Sequence, residues 1–99
     1  MEIPKQIKIG RRVYAINKRR RPRQRLTVGE VNYAQQYIDV VTHSNYTGRA
    51  FKSEELADTF WHELTHAILY EMKSPLHNDE AFVTKFSGLL NKAVLSAKF

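Results

Sequence analysis

The sequence predicts an α+β domain, a small antiparallel sheet followed by two helices, and three observations predict it. Residues 6 to 41 hold short runs rich in β-branched and aromatic side chains, divided at Gly10-Arg11 and at Ala34-Gln35-Gln36, which is how strands and tight turns read. From Ser53 onward the pattern is helical, apolar nearly all round at 60–69 and with apolar residues recurring at three and four over 82–94, an amphipathic face. Pro75 divides that second half, because proline disfavours a helical conformation in the residue before it. Ninety-nine residues make one domain, spanning 1–99, with a single core and nothing spare for a second.

Taken in order, residues 6–16 form a strand or hairpin turning at Gly10-Arg11. Lys18 to Arg25 then holds six basic residues out of eight. Such a run repels itself, so an exposed mobile loop is expected there. Residues 26–33 and 37–41 read as two strands of one antiparallel pair, and the polar stretch 42–52 as a loop. Ser53 is the expected N-cap of a helix over 54–72, with Glu54 and Glu55 in its first turn where the helix dipole favours negative charge. A second helix is expected over 78–97, with Phe82, Val83, Phe86, Leu89, Leu90 and Val94 as its core face.

Composition narrows the function. The chain has no cysteine, which excludes disulfides and Cys-ligated zinc, so any metal site must use nitrogen and oxygen ligands. No apolar run reaches membrane-spanning length, and residues 1–5 lack the hydrophobic core of a signal peptide. A cytoplasmic protein without membrane contact is the expectation. The net charge of +6 resides in the 18–25 run, since the remaining basic residues equal the ten acidic ones. Arg19, Arg20, Arg21, Arg23 and Arg25 are therefore candidate phosphate contacts to nucleic acid, with a solvated loop as the alternative. No aromatic residue is interleaved with them, so base stacking is not part of that reading.

The stretch that carries chemistry is His62-Glu63-Leu64-Thr65-His66. Residues four apart on a helix lie one above the other, so His62 and His66 can present their imidazoles to one metal ion. Glu63 falls about 60° from His66 around the axis, placed to act as general base for a zinc-bound water. The flanking Phe60, Trp61, Leu64, Ala67, Ile68 and Leu69 make this helix apolar nearly all round, and buried polar groups there need a partner. Catalytic zinc usually takes three protein ligands. A third histidine further along the same helix is excluded, because Leu69 and Met72 stand where an extended motif needs glycine and histidine. Candidates for the third ligand are Glu80, Asp79 and His77, with helix capping the competing role for Asp79 and His77. His43 and Tyr46, in the preceding loop, are candidates to stabilise an oxyanion if that loop folds over the site, against an ordinary surface role.

His62-Glu63-Leu64-Thr65-His66, followed by Glu80-Ala81 and Phe86, resembles the gluzincin arrangement of zinc peptidases. Together with the strand patterns at 8–14 and 29–40, the chain is similar to the small phage-borne and bacterial zinc peptidases of the ImmA/IrrE type. The resemblance implies Zn2+ as cofactor, Glu80 as third ligand, Glu63 as base, and hydrolysis of a protein substrate such as a DNA-bound repressor in a bacterial cytoplasm. It departs at Thr84, where gluzincins often carry an aspartate that supports the histidines. A zinc-stapled nucleic-acid module, or a phage interaction protein that retains the fold, is the alternative function.

Overall fold

A computed structural model describes residues 2–23 and 26–99. Four strands, β1 (Gln6–Ile9), β2 (Arg12–Arg19), β3 (Gly29–Asn32) and β4 (Tyr37–Val41), precede two helices, α1 (Ser53–Glu71) and α2 (Glu80–Ser96). A short 3₁₀ turn, Pro75–Asn78, lies between the helices. None of the helices is long and apolar enough to cross a membrane, among the described residues.

The two hairpins form as the sequence predicts. Gly10 takes a positive φ of 61° at the first turn and Gln36 one of 55° at the second. Their assembly differs from expectation, because the sheet is mixed and its strand order is β1-β2-β4-β3. After β2 the chain skips one position to lay β3 at the edge, and the return strand β4 fills the gap parallel to β2. Each hairpin is antiparallel, but the pairing between hairpins is decided by tertiary packing, which local turn chemistry does not specify.

Side-chain alternation divides the sheet into two faces. Tyr14, Ile16, Ile38 and Val40 point to the helices and join Phe60, Leu64 and Ala67 in the core. Phe60 is 2% exposed, and truncating such a ring to alanine costs about 3–5 kcal/mol. The opposite face carries Asp39, only 1% exposed. Its carboxylate accepts from Asn17 Nδ2 at 3.1 Å and from Arg23 Nε at 2.6 Å and Nη2 at 3.3 Å, and Arg19 Nε lies 4.0 Å away. Arg23 also lies over the Tyr37 ring at 4.3 Å. The basic run is therefore not a free loop: β2 continues through Arg19, and Arg23 is held on a buried carboxylate. A buried charge recruits an opposite one because an unpaired carboxylate in the interior is costly. Arg20 and Arg21 stay exposed, and Arg25 lies outside the described residues.

Both helices shift slightly from their expected ends. Lys52, not Ser53, is the N-cap of α1, because the Glu55 carboxylate accepts from Lys52 N–H at 2.9 Å and starts the helix one residue earlier. Asp79 caps α2 by accepting from Phe82 N–H at 3.0 Å. The larger difference is the rotation of α2. Val83, Ser87 and Asn91 are its buried residues, whereas Phe86 is 48% and Leu89 60% exposed. Glu80 lies on the histidines of α1, and residues three, seven and eleven further along share its side of the helix. Of the expected core face, Val83 is buried, while Phe82, Phe86 and Leu90 line one side of an open apolar groove of about 380 Å³ whose other side includes Ile68 and Met72 at the end of α1.

Candidate metal centre

Three donors from two helices converge. His62 and His66 rise from successive turns of α1, and Glu80 opens α2 above them, with their ligand atoms all within 4.8 Å of one another. His62 Nε2 lies 3.2 Å from Glu80 Oε2, and His66 Nε2 lies 2.5 Å from Glu80 Oε1. Asp79 is occupied as a helix cap. His77 directs Nδ1 to the Ser74 carbonyl at 2.8 Å. Neither belongs to the donor group.

The donor chemistry fits a divalent cation. His66 Nδ1 lies 2.7 Å from the His77 carbonyl oxygen, which only accepts, so the ring proton sits on Nδ1 and a neutral ring turns its Nε2 lone pair toward Glu80. An ionised carboxylate also only accepts. The 2.5 Å between these two atoms is the spacing of one shared proton, carried by the ring or by the carboxyl; a zinc ion held by both at its usual bond lengths needs them about 3.3 Å apart, an opening that the exposed Glu80 side chain allows. Two imidazoles and one carboxylate are a known zinc ligand set that leaves one position open. The His77 carbonyl stands on the Nδ1 side of His66, the kind of group to which a metal-ligating histidine commonly donates its other N–H.

Glu63 stands beside the donors and is buried. Burial is the main cause that pushes its carboxyl up to about 8, with the negative charges of Glu80 and Glu30 adding to it. It shares a cleft of about 500 Å³ with His62 and Glu80 on one side and Thr27, Val28 and Gly29 on the other. The edge strand β3 is one wall of that cleft. Gly29 is what lets it approach: a Cβ there would stand 2.7 Å from Thr59 Cγ2 and 2.9 Å from Glu63 Oε2. Gly29→Ala is therefore expected to destabilise the fold by about 1–3 kcal/mol, as overpacking does. Gly88→Ala meets nothing within 4 Å and should stabilise by roughly 0.5–1 kcal/mol. Urea unfolding of the two variants checks the contrast.

His43 and Tyr46 do not reach the cleft. Tyr46 is 83% exposed in its turn, and His43 lines a separate hollow with Arg20, Arg21 and Asn45. Tyr33 is a residue near the site that sequence reasoning missed. Burial, with Glu63 and Glu80 nearby, pushes its phenol up to about 12. Gly29 had a legible signal, since glycine inside a strand marks close approach. The His77 carbonyl had none, because every residue carries one.

Fold and site together define the class of the chain as an α+β unit with a His/His/Glu donor group beneath an edge strand. Comparisons with protein-family models, curated proteins and solved structures return no match.

Proposed function

We propose that the chain is a zinc-dependent peptidase of the minimal gluzincin, ImmA/IrrE-like kind, acting on a protein substrate. The observation that carries this reading is the convergence of His62, His66 and Glu80, with Glu63 beside them in an open cleft. His62, His66 and Glu80 would hold the ion. When bound, zinc polarises a carbonyl and makes water acidic enough to lose a proton near neutral pH. Glu63 takes the proton of the attacking water and passes it to the leaving amine, a task for a carboxylate that stands beside the donor group in the same cleft without belonging to it. The free edge of β3 offers main-chain groups to an extended peptide, which gives a small sheet a way to hold substrate without a deep pocket.

Three protein donors, rather than four, among the described residues favour a catalytic over a stapling metal. The purified chain is expected to carry about one zinc ion per molecule. Elemental analysis tests this, and metal-free protein that takes up no zinc would sink the reading. Activity is tested on a library of unfolded peptides read by mass spectrometry, with and without chelator. The cytoplasm of a bacterium, or of a phage-infected one, is the proposed setting.

A nucleic-acid partner is a second reading, favoured by Arg20 and Arg21, which stay exposed beside His43 and Asn45. Their replacement by Gln should reduce the log-log salt slope of DNA binding by about two and leave the melting temperature unchanged. Arg23→Gln should do the reverse, because it takes from the buried Asp39 its closest charged partner. Salt titrations and thermal melts separate the two effects, and salt-insensitive wild-type binding would remove this partner.

A further inference from the structure

The turn between the helices supplies both the His77 carbonyl and, just beyond it, Glu80, yet it buries no side chain. Its own hydrogen bonds are local: His77 N–H donates to Ser74 O at 3.2 Å and Asp79 N–H to Leu76 O at 2.9 Å. The turn also packs on both helices, and the His77 ring is fixed by its Nδ1 contact with the Ser74 carbonyl at 2.8 Å and by two aromatic neighbours. That ring stands edge-on to Tyr33 at 5.7 Å and to Tyr70 at 5.4 Å. The two tyrosines are themselves stacked, with centroids 4.0 Å apart and planes 4° from parallel.

We propose that Tyr33 and Tyr70 are positioning residues, a stacked pair that holds the His77 ring and thereby aims its carbonyl at His66 Nδ1. The consequence is that the proton stays on Nδ1 and Nε2 is presented to the donor group. Tyr33 is well placed to hold another residue because it is itself fixed. Arg12 donates to its carbonyl and pairs with Glu71 at 3.0 Å, and Glu71 also accepts from the Tyr14 hydroxyl at 2.5 Å. The clamp is thereby rooted in β2, the end of β3 and the last turn of α1. Its geometry requires rings, not phenol oxygens.

The inference rests on His62, His66 and Glu80 binding zinc, but one of its readouts does not. In the full chain, zinc affinity is measured by competition with a chromophoric chelator, and the His66 Nδ1 proton is followed by NMR in zinc-free protein. Tyr33→Leu and Tyr70→Leu are expected to weaken zinc binding by roughly 10- to 100-fold, the usual effect of removing outer support, and to expose the Nδ1 proton to rapid exchange. Tyr33→Phe and Tyr70→Phe keep the rings and should match the wild type. His77→Leu should lose affinity while His77→Phe retains it, which also separates a positioning ring from a metal-ligating one. Because the turn buries nothing, the His77 variants decide the matter even if a tyrosine variant fails to fold. Leucine variants with wild-type affinity and a protected Nδ1 proton would overturn the clamp. Zinc-free wild type that takes up no metal, yet protects that proton until the rings are removed, would instead overturn the zinc site and leave the clamp standing.

Discussion

Glu63→Gln is expected to cut peptide hydrolysis by roughly two to four orders of magnitude, the usual worth of a positioned general base, while zinc content stays at the wild-type level. Glutamine keeps the shape of the side chain, and Glu63 is outside the donor group. The same substitution should raise the stability of the metal-free protein. The folded chain holds the Glu63 proton up to about pH 8, whereas the ordinary value is 4.5. Between those values the folded state binds more protons than the unfolded one, so stability falls as pH rises through the window. Glutamine removes that dependence. Chemical unfolding of chelated wild type and variant at pH 5 and pH 8 measures it, and activity on the same samples completes the comparison. Loss of zinc from Glu63→Gln would make Glu63 structural; hydrolysis at the wild-type rate would end the peptidase reading.

Glu80→Gln is expected to weaken zinc binding beyond the roughly 10- to 100-fold that changes to supporting groups produce, because it takes the only charged oxygen from the donor group. His66→Ala should do the same and also leave the His77 carbonyl without its donor. Asp79→Asn should change little, since asparagine caps a helix about as well as aspartate. Chelator competition across the three variants tests the order. A larger loss with Asp79→Asn than with Glu80→Gln would move the ligand role to Asp79.

Much of this molecule is local information. His62 and His66 share a face because a helix repeats every 3.6 residues, Gly10 turns because glycine takes a positive φ freely, and Pro75 separates the helices. The sequence by itself therefore determined the elements, the α+β class and two of the three donors, each within a few residues of its neighbours. Tertiary structure decided what joins distant segments. The parallel contact of β2 with β4, the seating of Arg23 on Asp39 and the closeness of Gly29 to Glu63 all depend on which surfaces meet. That Glu80, rather than Asp79 or His77, lies on His62 and His66 goes with the rotation of α2, which also leaves Phe86 and Leu89 exposed where periodicity promised a core. A hydrophobic stripe announces that a helix will pack, but the angle at which it packs is set jointly by every contact along it, and here one carboxylate at its first residue lies on two histidines of the other helix.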